Sequence, residues 1–409
     1  MPIGQDLFFT PYLTGGRLML RAISLAMAIL VLARPGTPAS AQNDLGANAA
    51  LKYWQGFATL PTFSDADAQK LHTEYLTMPL DGKAREMVAK ADYSLKMMYH
   101  GAALADCSWG LSMDEGVEAL LPYAPAARVL TSIAFVRARM RMEEGRRDEA
   151  IDDILSAMAL GRHLSVDGSL IAVLVGYGIE QRADETLGLY LIQFDAASIQ
   201  KLKMRLERLP VGGTPADGLK LEEATLDWFI RKVKATKNKD ELVGFLGQLS
   251  KAGDNRDDKE KGGEFLEECG GTADGVVRFA QELRACYART AKMLQLRIDR
   301  FVTEWDRESA KESSNPVFQR LFPAVDKVRE SQARHDVRQT LLNAAVDIRL
   351  HGSDTRKDHV DPLAGKALDY TDFDGGFELR VKLDEKLRQK WHFAPRFDES
   401  LFLTVGRRP

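Results

Sequence analysis

Residues 131–161 read TSIAFVRARMRMEEGRRDEAIDDILSAMALG, and their periodicity decides the fold class. Ala134, Ala138 and Met142 recur at steps of four, which places them on one face of a helix. Gly145-Arg146-Arg147 interrupts that pattern and makes a turn. Asp148-Glu149-Ala150 opens a second helix, with acidic residues at its positive N-terminal end. Ile154, Ala157 and Met158 continue its apolar face. Two helices therefore fold back on each other, and small residues let them approach closely.

This stretch resembles one tetratricopeptide repeat, in which small residues sit where paired helices touch and a glycine marks the turn. Ala138, Gly145, Ala150, Ile154 and Ala157 occupy the corresponding places. Arg137 and Arg141 stand where large aromatics are expected, and no proline closes the second helix. One repeat cannot bury its own face, so neighbouring helices must complete the stack. Residues 168–191 and 195–209 supply the next pair, and 42–209 is read as a TPR-like helical region. Upstream, 47–60 is a short amphipathic helix ended by Pro61, Ser64 caps another, and 84–100 continues the helical pattern.

Downstream, Pro210-Val211-Gly212-Gly213-Thr214-Pro215 predicts a linker over 210–218. Residues 219–350 resume the helical pattern. They contain a charged, glycine-rich stretch, 251–275, that reads as a surface loop. Leu283, Tyr287, Leu294, Ile298, Phe301 and Trp305 form an apolar seam along one long helix, 274–311. Asn315-Pro316 breaks it, and a second helix runs from 316 to 350, with Pro323 kinking its beginning. The expected fold is mainly α: a helical-hairpin array, then a long antiparallel helix pair, then a small β-rich tail over 351–409. In that tail, Asp374-Gly375-Gly376 between alternating strands predicts a β-hairpin, and 400–405 offers a third strand.

Residues 315–380 resemble a recurring arrangement in exported bacterial proteins of unknown function. The resemblance rests on Asn315-Pro316, a helix with Arg329, Arg334, Arg338, Ala344 and Ala345, then Asp361-Pro362, Gly365-Lys366, Tyr370 and a Gly-Phe-Glu-Leu strand, 376–379. Leu363 follows Asp361-Pro362 where that arrangement usually has Phe. The resemblance implies residence in the cell envelope or outside the cell, and no reaction.

The N-terminus carries the same expectation. Arg17 and Arg21 precede an uncharged run, 22–33, and Ala39-Ser40-Ala41 places small residues at the −3 and −1 positions of a cleavage site. Residues 1–41 read as a secretory signal peptide. The run falls short of the roughly 20 residues that span a bilayer, so a retained anchor is the alternative. Removing 41 of 409 residues leaves 368, and removing Arg17, Arg21, Arg34 and Asp6 shifts the formal charge from −3 to −5. A mildly acidic product with mixed signs argues against nucleic acid as a partner, and no second long apolar segment follows.

Three cysteines remain. Cys269 and Cys286 are candidates for a disulfide, worth about 3 kcal/mol in the loop-entropy account, with buried free thiols as the alternative. Cys107 is the odd one out of that pairing. Ser198-x-x-Lys201 lacks the companion motifs of acyl-transfer enzymes, and Gly176-Tyr177-Gly178 reads as close helix packing rather than a dinucleotide loop. No cofactor motif occurs. Asp354, Asp358, His359 and Asp361 are candidate ligands for a divalent cation. Arg137, Arg141, Arg146 and Arg147 form the densest basic cluster and a candidate surface for an acidic partner, against the alternative of ion pairs with neighbouring glutamates. Together these features favour a non-catalytic envelope interaction module. The alternative is a hydrolase of envelope polymers whose carboxylates come from separate helices.

Overall fold

The hairpin at the centre of the sequence forms as its periodicity predicts. In a computed structural model of the chain, helix α5 spans Tyr123–Glu143 and α6 spans Arg147–Ser165. Gly145 between them adopts φ 76°, a left-handed conformation that favours glycine. The structure describes residues 47–76, 78–111, 121, 123–166, 168–249, 257–322, 324–383 and 400–407. The signal segment with Ala39 and Ala41 lies outside them, as does Pro323.

Ahead of the hairpin stand α1 (Ala49–Ala58), α2 (Asp65–His72, capped by Ser64), α3 (Gly82–Lys90) and α4 (Asp92–Ala102). The expected helix over 84–100 is thus two helices, because Ala91 leaves helical geometry at φ −95°, ψ 8°. After the hairpin come α7 (Leu170–Leu191) and α8 (Ala196–Leu206), the latter capped by Asp195. Helix α7 packs on α6 through a glycine pair. A Cβ on Gly176 would lie 2.4 Å from the Gly161 carbonyl oxygen, so no larger side chain fits there unless the helices part.

The expected linker is shorter than predicted. Thr214 and Asp217 form a reciprocal capping box with Pro215 in the first turn, so α9 (Pro215–Ala235) begins inside the 210–218 stretch. The charged loop is also corrected. Residues 251–256 lie outside the described residues, but 258–268 are helix α11 (Asp258–Glu268), which packs on α10 (Lys239–Gln248). Glycine serves close packing there: a Cβ on Gly262 would fall 1.9 Å from the Val243 carbonyl oxygen.

The two long helices are each divided. Helix α12 (Ala273–Met293) ends before α13 (Ile298–Glu312), because Arg297 is extended at ψ 150°. The second is α14 (Pro316–Leu321) followed by α15 (Val325–His351). They do not pair chiefly with each other. Helix α12 packs most extensively on α9, and α15 on α7, since each break turns the following apolar face toward a different neighbour.

The tail forms a three-stranded antiparallel sheet in the order β1 (Asp369–Phe373), β2 (Gly376–Lys382), β3 (Ser400–Val405). Gly375 makes the hairpin turn at φ 83°. Strand β3 lies on α7 and α15, and the Gly406 amide donates to the Gly188 carbonyl at 2.9 Å. The described residues from 48 onward form one compact unit around a continuous apolar core. No helix among the described residues is long and apolar enough to cross a membrane.

Candidate functional site

The basic cluster picked out in the sequence is used inside the fold. Asp153, buried on α6, accepts from Arg137 Nη2 at 2.6 Å and from Arg141 Nη1 at 2.7 Å. Arg146 binds Glu149 at 2.5 Å and Glu144 at 3.1 Å. Arg147 is exposed, and its charge helps to hold the Asp195 carboxyl below its usual range, after the amide and hydroxyl of Ser198. Arg137 and Arg141 thus tie α5 to Asp153 on α6, while Arg146 and Arg147 lie exposed at the turn.

The loop carboxylates do not converge on a cation. Asp354 pairs with Lys357 at 3.1 Å. His359 Nε2 lies 2.9 Å from Asp347, which also accepts from Lys203 at 2.6 Å. Asp361 accepts from the amides of Leu363 and Ala364, and Asp358 ends a 3-10 turn. The disulfide is absent as well, since Cys269 and Cys286 are both buried free thiols. Cys269 caps α11, whereas Cys286 sits 13 residues into α12, about 20 Å along the axis and far beyond the ~7 Å Cα limit of a bridge. Burial pushes their thiols up to about 11 and about 12. Among the described residues, Cys286, Glu308 and Glu312 do converge within 4.8 Å. Arg289 already joins the two carboxylates, at 2.5 Å to Glu308 and 3.0 Å to Glu312.

A different feature has the properties of a binding site. A cleft of about 300 Å³ opens between α2, α5 and α7. His72 on α2, Arg128 on α5 and Arg182 on α7 line it, with Thr131 and Ser132 on one wall and Leu174, Val175 and Ile179 on the other. Among the described residues no carboxylate lines it. Arg182 is held in place, donating to the His72 carbonyl at 2.5 Å and to Ser132 Oγ at 3.2 Å. The His72 imidazole shares a 2.9 Å hydrogen bond with the same serine oxygen. Arg128 is exposed and makes no ion pair among the described residues. Burial and the guanidinium groups of Arg182 and Arg128 hold His72 below its usual value. Burial lowers Arg182 too, with Arg128 adding to the effect against the opposing pull of Glu185. Like charges crowd around an open space, which favours an anion within it.

The opposite side of α7 is a polar seam against α15. Arg162 on α6 donates to Glu180 at 2.8 Å and to Gln339 at 3.2 Å, and Gln339 reaches Asp184 at 3.3 Å. Burial raises Glu180, and it raises Asp184 well above the usual carboxyl range. His335 stacks on Tyr177 with ring centroids 4.1 Å apart, and burial lowers it to about 4.

Comparison with protein-family models, with curated proteins and with solved structures finds no match, so geometry alone carries the reading. The cleft was not found from the sequence, because its cations come from three helices and form no local motif. The available signal was in residues 170–191, an apolar stretch interrupted by Glu180, Arg182, Asp184 and Glu185. Charges in so apolar a helix need partners on both sides.

Proposed function

We propose that this chain is an exported, non-catalytic binding module of the cell envelope that holds an acidic segment of a partner protein in the His72–Arg128–Arg182 cleft. The cleft's composition carries this reading: three cationic or protonatable groups, two hydroxyls and an apolar wall, with no carboxylate among the described lining residues. Arginine suits this role because its planar head offers several donors to one carboxylate. A concave wall of packed helices suits an extended segment, as in the tetratricopeptide-like reading of the α5–α6 hairpin. Export rests on the arrangement of residues 17–42.

The hydrolase alternative draws support from two buried carboxylates on the face of α7 that meets α15. Glu180 is bound by Arg162, and Asp184 is enclosed beside Gln339. Neither lines the cleft. Calorimetric titration of the purified chain with a glutamate-rich peptide and a lysine-rich peptide of equal length tests the proposal. Binding of the acidic peptide alone, weakening as salt is raised, is the expected result. Equal binding of both peptides, or of neither, contradicts it.

A further inference from the structure

The seam between α7 and α15 ends in a group of polar side chains that are only partly paired. Arg329 on α15 is 6% exposed, yet of its three guanidinium nitrogens only Nη2 is engaged, donating to the Leu296 carbonyl at 3.1 Å. Its Nε and Nη1 are buried without acceptors. Gln332 Oε1, one turn along the same helix, is buried without a donor. Asp336 follows one turn later. These positions, separated by three and four residues, share one face of α15. Tyr177 borders them from α7, its ring stacked on His335, the residue before Asp336, with centroids 4.1 Å apart. Gln332, Asp336 and Tyr177 are partly exposed, so the group reaches solvent.

Leaving buried donors and acceptors unpaired costs about 1–3 kcal/mol each, so such a group calls for an occupant. The local charges select its type. Asp336 opposes a ligand of net negative charge, and Arg329 opposes one of net positive charge. Glu180 nearby is neutralised by Arg162. A ligand bearing both signs meets an opposite charge at each end. Arg329 and Gln332 are separated by about 4.5 Å of helical rise, and Asp336 lies one further turn along. That spacing suits the two charged groups of one small molecule. We propose that Arg329, Gln332, Asp336 and Tyr177 form a second site, for a zwitterion of the free amino-acid class. Its carboxylate accepts from Arg329, and its ammonium donates to Gln332 Oε1 beside Asp336. The site is independent of the cleft between α2, α5 and α7, because it uses the other side of α7.

Thermal-shift and calorimetric titration of the purified chain with each of the twenty free amino acids tests this. Any amino acid that binds is then compared with its N-acetyl and its amide derivatives, each of which lacks one charge. The expected result is binding of at least one free amino acid, weakened by about tenfold or more in each derivative. Asp336→Asn, checked for an unchanged fold by circular dichroism, weakens the free amino acid by a similar factor and the N-acetyl form less. If the N-acetyl form binds as tightly as the free amino acid, or if none of the twenty binds, the proposal is overturned and ordered water is what satisfies Arg329.

Discussion

Gly176 and Gly262 play one role in sequence surroundings that read differently. Both bring helix backbones together. Gly176 was legible because it lies in a long apolar run, where close packing is its natural use. Gly262 was misread because Asp, Lys and Glu surround it and the composition suggested a loop. A contrast with its neighbour tests the packing account. Gly262→Ala is expected to destabilise by about 1–3 kcal/mol, since its Cβ would strike the Val243 carbonyl. Gly263→Ala meets nothing within 4 Å and is expected to stabilise by up to about 1 kcal/mol through helix propensity. Urea denaturation of both variants reads the difference. His163 offers a second test at this scale. It is 1% exposed, its Nδ1 lies 2.7 Å from the Tyr53 hydroxyl, and burial lowers it to about 4. An unfolded histidine takes its proton near pH 6.5. The stability this difference confers is therefore complete above about pH 6.5 and is lost as pH falls toward 4. It amounts to as much as about 3 kcal/mol. Unfolding curves of His163→Gln should fall less steeply than the parent's across that window, and equal slopes would refute the assignment.

Among the elements, the α5–α6 hairpin was the most legible and the long helices the least. The hairpin declares itself through local spacing and a turn glycine. The division between α12 and α13 falls at Gln295-Leu296-Arg297, which contains neither glycine nor proline. Tertiary packing sets that boundary, and an apolar seam read along the sequence runs through it unbroken. The arginines of the hairpin were visible, but their role depended on Asp153, whose burial only the packed structure reveals. Asp153→Ala leaves Arg137 and Arg141 facing each other without their shared acceptor. The expected loss is about 3 kcal/mol by chemical denaturation, as for one partner removed from a buried pair. A loss below about 1 kcal/mol would mark the contact as an ordinary surface ion pair.

For the whole molecule, a helical array with a terminal sheet was legible in the sequence, and the cleft was not. His72, Arg128 and Arg182 come together only because α2, α5 and α7 pack side by side. The positive charge of the two arginines has meaning only as a group around a shared space. Arg128 offers the most direct test of the acidic-partner account, because it is exposed, lines the cleft and makes no ion pair among the described residues. The decisive measurement is the affinity of Arg128→Glu for a glutamate-rich peptide, set beside that of the parent chain at equal ionic strength. The account predicts a loss of about tenfold or more with the melting temperature unchanged. An affinity equal to the parent's would contradict it.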